Sequence, residues 1–82
     1  MYQQLSINLS KVPSVPDGVY YIAGEKVYIK KGKKDRLNGP AVERKNGYKA
    51  WYHDGVLDRK GKPAVIHPDG REEYWEKGKR LK

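Results

Sequence analysis

The sequence predicts an all-β protein: a single twisted antiparallel sheet of three 23-residue β-hairpin repeats, with an N-terminal strand ahead of them. The first observation behind this is a fixed internal period. Gly32, Gly55 and Gly78 fall at the same point of successive units, Pro40-Ala41-Val42 recurs as Pro63-Ala64-Val65, and Asn46-Gly47 recurs as Asp69-Gly70. Trp51-Tyr52 returns in reversed order as Tyr74-Trp75, and Arg36 matches Arg59, with Arg80 near the same place in a truncated third copy. A fixed period of this size marks a supersecondary unit that cannot bury its apolar side alone and must stack on its neighbours. The second observation is a period-two alternation of apolar and polar residues, most regular from Glu25 to Lys31. The third is negative: no useful stretch shows a helical period, and Gly or Pro interrupts the chain so often that helix has nowhere to form.

Taken in order, Tyr2, Leu5, Ile7 and Leu9 alternate as an edge strand would, and Pro13 and Pro16 then stop regular pairing. Residues 1–16 are therefore read as a strand and connector, and 17–82 as the repeat region of one domain. Asp17-Gly18 opens the first, degenerate unit. Val19-Tyr20-Tyr21-Ile22 is its outgoing strand, Ala23-Gly24 its turn, and Glu25 to Lys31 its return. Gly32 to Asn38 reads as a charged loop, Ala41 to Lys45 as the next strand, and Asn46-Gly47 as a two-residue type I′ turn leading into Tyr48 to His53. The third unit repeats this with Ala64 to His67, Pro68-Asp69-Gly70 and Arg71 to Glu76, Pro68 being suited to a turn because it has no N–H to donate to a ladder.

Composition bounds the function. A chain of 82 residues buries only about 60% of its unfolded surface, which disfavours a deep catalytic cavity. Seven Tyr and two Trp nevertheless supply apolar faces that a disordered chain would lack. There is no Cys, hence no disulfide, thiolate nucleophile or Cys-based zinc site. Lys plus Arg number 18 against 10 Asp plus Glu, a net charge of +8, which favours anionic partners: an acidic protein surface, nucleic acid or an anionic membrane. No apolar run approaches a membrane span, and Met1 to Ser10 carries no signal-like pattern, so a cytoplasmic location is expected.

The units Gly32-Lys33-Lys34-Asp35-Arg36-Leu37-Asn38-Gly39-Pro40-Ala41 and Gly55-Val56-Leu57-Asp58-Arg59-Lys60-Gly61-Lys62-Pro63-Ala64 resemble the short tandem repeats of tailed-phage and bacterial proteins, of the form Asn-Gly-x-x-His-Arg-x-Asp-Gly-Pro-Ala. Asp35 and Asp58 stand where that unit has His. The 23-residue length and Tyr48-x-Ala50-x-Tyr52-x-x-Gly55 are distantly similar to the MORN repeat, with Ala50 in place of its Gly. The resemblance covers the repeat region, from about Asp17 to the C-terminus. It implies a small accessory module, phage-encoded and acting in the host cytoplasm, and from the MORN side a lipid-binding role.

His53 and His67 lie on different strands without metal-ligand spacing, the carboxylates fall in turns or alternate with Lys, and Lys30-Lys31-Gly32-Lys33-Lys34 lacks the glycine spacing of a phosphate loop. No enzyme activity, metal or cofactor is expected. The one constellation is the aromatic column Tyr28, Trp51, Tyr74. On one reading it is the packed face of the sheet. On the other, Tyr52 and Trp75 pack with Val27 and Ile29, and the column faces outward among Lys26, Lys30 and Lys49, next to a basic loop with Lys33, Lys34 and Arg36. The expected function is a non-enzymatic protein-interaction module that docks this face on an acidic surface of a host protein and modulates it. Alternatives are a nucleic-acid binder using the same face and a MORN-like binder of anionic lipid.

Met1 to Leu9 carries no charged side chain, so Leu5, Ile7 and Leu9 are expected to add a strand to the sheet, in cis or in a homodimer. Deleting residues 1–10 should then cause aggregation, or abolish a melting temperature that rises with protein concentration. A truncated chain that stays monomeric and equally stable by thermal melt overturns both versions.

Overall fold

A computed structural model describes residues 15–82, so the N-terminal strand expected at Leu5, Ile7 and Leu9 lies outside the described residues. All the regular structure within them is β: β1 (Gly18–Ile22), β2 (Glu25–Lys30), β3 (Lys33–Lys34), β4 (Val42–Arg44), β5 (Lys49–Ala50), β6 (Tyr52–His53), β7 (Val56–Leu57), β8 (Val65–Ile66), β9 (Glu72–Glu73), β10 (Trp75–Glu76) and β11 (Lys79–Arg80). Every pairing is antiparallel. A seven-stranded sheet runs β1-β2-β4-β5-β8-β9, with β3 attached to β2, while β6-β7 and β10-β11 form two further two-stranded sheets.

The expected single sheet is thus divided, and the division has one cause that recurs in the first two units. The N-terminal half of each return strand bonds to the opening strand of the next unit: β2 to β4 and β5 to β8. Its C-terminal half instead bonds to the segment that follows directly: β2 to β3, β6 to β7 and β10 to β11. The change of partner falls on the aromatic column. Tyr28 donates its N–H to the Ala41 carbonyl at 2.8 Å and accepts from the Asp35 N–H at 3.0 Å. Trp51 does the same with Ala64 at 2.7 Å and Asp58 at 3.0 Å, whereas Tyr74 bonds the following segment alone, Lys82 at 2.8 Å and Leu81 at 2.7 Å. The distal hairpins are tied to one another as well, Gly55 N–H to the Lys34 carbonyl at 2.9 Å and Gly78 N–H to the Leu57 carbonyl at 2.8 Å.

Turn chemistry follows this division. Both central residues have positive φ at Ala23-Gly24, Lys31-Gly32, Asp54-Gly55 and Lys77-Gly78, as type I′ turns require. The charged loop expected from Gly32 thus begins with a tight turn at Lys31-Gly32 and a short strand. At Asn46-Gly47 only Gly47 has positive φ, and the expected two-residue type I′ turn is a longer loop. Gly47 donates to the Arg44 carbonyl at 3.1 Å and Arg44 N–H to the Tyr48 carbonyl at 3.0 Å, a turn closed by a bulge. The reason is local: the Asn46 side-chain oxygen accepts the Tyr48 N–H at 3.0 Å, which holds Asn46 inside the loop. Asp69 does the same for Arg71, and Pro68 occupies a turn position that needs no N–H.

The core is one cross-strand row. Register aligns Tyr20, Val27, Val42, Ala50, Val65 and Glu73, and the four central residues of that row are at most 3% exposed. Ile29, Tyr48, Tyr52, Leu57 and Trp75 pack over them, and Tyr52, Leu57 and Trp75 belong to the distal hairpins. The hairpins split from the main sheet therefore supply its cover. Val42→Ala, which removes two buried methyl groups, should cost about 2 kcal/mol in urea unfolding, whereas Val19→Ala on the outer strand should stay within about 0.5 kcal/mol.

Candidate interaction surface

Of the two readings of the aromatic column, the structure adopts the second for packing: Val27, Ile29, Ala50, Tyr52 and Trp75 lie on the core side. Tyr28, Trp51 and Tyr74 occupy the opposite face and are half-buried, because each carries a cation. The Arg36 guanidinium lies 3.9 Å from the Tyr28 ring centre, the Arg59 guanidinium 3.9 Å from that of Trp51, and the Lys82 ammonium 4.9 Å from that of Tyr74. These cations are spaced by the repeat. The third copy's equivalent of Arg36 and Arg59 is therefore Lys82, while Arg80 reaches over the core-side Trp75 at 6.0 Å.

Each arginine also closes the loop that starts with it. Arg36 Nη1 donates to the Pro40 carbonyl at 3.1 Å and Arg59 Nη1 to the Pro63 carbonyl at 3.0 Å. The segments 36–40 and 59–63 leave the sheet where the return strand changes partner, and the guanidinium bridges their two ends over the ring. Such stacking contributes about 0.5–1 kcal/mol at partly exposed sites and removes rotamer freedom from a long side chain. At Gly39 a Cβ would lie 2.9 Å from the Arg36 guanidinium carbon, so a side chain there would push the guanidinium from its present place, whereas the matching residue beside Arg59 is Lys62.

Grooves recur in the same register. One, of about 280 Å³, is lined by Tyr28, Lys30, Asp35, Arg36 and Leu37; a larger one, of about 660 Å³, by Trp51, His53, Asp58, Arg59 and Lys60, with Arg36 and Lys77 on its far walls. Leu37, 83% exposed, borders both. Of the other expected site residues, Lys30 and Lys49 are exposed on the column's face. Lys26 lies 5.5 Å from the Tyr28 ring and 3.9 Å from Glu43, and hydrogen bonding with Tyr28 raises its pKa above the ordinary lysine value. Lys33 pairs with Asp54 at 3.5 Å, and Lys34 lies 4.9 Å from the core-side Tyr52 ring, so neither joins the column. Arg59, Lys60, Lys77 and Lys82 are not among the site residues expected from the sequence, although one repeat step from Arg36 reaches Arg59 and a second reaches Lys82.

The electrostatics of the two arginines differ. Arg36 faces the Glu43 carboxylate at 3.7 Å, whereas one repeat step from Glu43 reaches Ile66, and among the described residues no carboxylate lies within ion-pair distance of Arg59. On the core side, a polar chain crosses the units. Arg44 pairs with Glu25 and lies over Tyr48 at 4.4 Å; Tyr48 meets His67 edge-on at 5.7 Å. His67 Nε2 is 2.7 Å from Glu73, which also accepts from Trp75 Nε1 at 2.9 Å. Burial raises the Tyr48 pKa, and the Arg71 backbone N–H, then its side chain, lower that of Asp69. Among the described residues no group of three His, Asp or Glu side chains could hold a metal, and no helix is long and apolar enough to cross a membrane.

Hydrogen bonds from His67 first and Trp75 second hold the Glu73 carboxyl below its ordinary value of 4.5. A depressed folded-state pKa contributes stability that is present above the unfolded value and lost as pH falls through the folded one. Glu73→Gln should therefore lower the melting temperature at neutral pH, and the gap between the two proteins should narrow on titration below 4.5. Compared with protein-family models, with curated proteins and with solved structures, the chain matches none of them.

Proposed function

We propose that the protein is a non-enzymatic interaction module that binds acidic side chains of a partner protein through the cation-capped aromatic column. The observation that supports this is the repeated stack of Arg36 on Tyr28 and Arg59 on Trp51, each held from behind by a proline carbonyl. A guanidinium fork has five N–H donors and matches a carboxylate in two parallel bonds. Fixing it on a ring before the partner arrives reduces the ordering cost of binding. A single-stranded nucleic acid would need open aromatic faces for its bases, and here each ring of the column already carries a cation.

The test keeps the charge and changes the geometry. Arg36→Lys with Arg59→Lys leaves the net charge at +8, but a lysine ammonium can neither stack as a plane nor bind in two parallel bonds. Binding to labelled poly-L-glutamate, followed by fluorescence anisotropy, should weaken about tenfold in the double variant. Unchanged affinity would assign the binding to bulk charge and remove the reading. Tighter binding of single-stranded DNA than of polyglutamate would assign the face to nucleic acid, and co-sedimentation with anionic but not neutral vesicles, without polyglutamate binding, to lipid.

A further inference from the structure

The spacing of the column specifies the partner further, on the proposed reading that it takes carboxylates. Tyr28 and Trp51 lie on strand runs separated by the single strand β4, so the cations above them are two inter-strand steps apart, about 10 Å. A polyproline II helix has three residues per turn and rises about 3.1 Å per residue, so every third side chain points the same way at intervals of about 9.3 Å. An extended β-strand does not match as well, since residues three apart lie on opposite faces.

We infer that the surface reads an acidic peptide in the polyproline II conformation with a carboxylate at every third position. The first carboxylate meets Arg36, the second Arg59 and the third Lys82. Charge complementarity fixes the sign of the ligand, and Leu37 fixes what lies between the acids. It is the most exposed large apolar side chain of the described residues and stands between the two grooves, where it offers a contact for prolines or other apolar residues separating the carboxylates. The right-handed twist of a sheet turns each strand by roughly 20–25° from the next, so successive cations also rotate about the long axis, which limits a straight ligand to two or three contacts. Glu43 competes for Arg36, whereas Arg59 and the larger groove around it form the principal subsite.

Two capped, labelled nonapeptides of identical composition decide the matter, one with Glu at every third position and Pro elsewhere, the other with the three Glu at every fourth position. Measured by anisotropy on the unaltered protein at low salt, the first should bind about tenfold tighter, the gain from one additional charge-assisted contact. Glu43→Gln should strengthen that binding about threefold by releasing Arg36 from one partly exposed ion pair. Equal affinity for the two peptides overturns the spacing inference while leaving the carboxylate-binding reading in place. Binding of neither overturns both. Because the peptide comparison uses the unaltered chain, it holds even where a variant folds poorly.

Discussion

The structure depends on one constraint, the change of hydrogen-bond partner at Tyr28 and Trp51, just after the middle of the first two return strands. The N–H and C=O of Tyr28 point to the same side of the strand, yet they serve two different segments of chain, Ala41 and Asp35. Between those segments the chain must leave the sheet and come back, and an excursion beside a buried core would strand polar backbone groups. Arg36 resolves this by placing its guanidinium 3.9 Å from the Tyr28 ring centre and donating to the Pro40 carbonyl at the far end of the excursion. Arg59 repeats the solution at Trp51 and Pro63. Ala41 and Ala64, which follow the prolines, are fully buried.

The same device sets the chemistry of the surface. An arginine recruited to close a loop gives up rotamer freedom to its ring and carbonyl contacts. The residues that close the loops are thus also the cations over the aromatic column. On the core side the division of labour differs: Glu73, His67 and Trp75 satisfy one another and tie the third unit to Tyr48 of the second.

How much of this was legible in the sequence depends on the kind of signal. The all-β class and the sorting of Val27, Ile29, Ala50, Tyr52 and Trp75 onto one face follow from period-two alternation, because a buried row admits only one register. The tight turns were harder to read. Asn46-Gly47 has the strongest type I′ sequence, but the Asn46 side chain captures the Tyr48 amide and makes a longer loop, whereas Lys31-Gly32 and Lys77-Gly78 adopt the tight turn with a lysine in the left-handed region. Local propensity ranks these sites in the wrong order because the pairing of the flanking strands decides them. The column residues Tyr28, Trp51 and Tyr74 could be found by alternation, and the repeat carries Arg36 to Arg59 and Lys82, but the stacking of each cation on its ring could not be found, since Arg36 reaches Tyr28 across a turn. Lys33 and Lys34 look like members of a basic loop in the sequence and are instead placed on a short strand, turned toward Asp54 and Tyr52.

Among the described residues the strand pairings join only segments that are neighbours along the chain, the widest register being that of Glu25 with Arg44. Loop closure is therefore inexpensive at every step, and the barrier to assembly should be set by forming one unit against the next and not by bringing distant parts together. An array of this kind has no single nucleus that must form first. Any adjacent pair of units can start the process, and the ordered region then grows in both directions, as in a one-dimensional chain of coupled switches whose cooperativity resides in the backbone ties between hairpins.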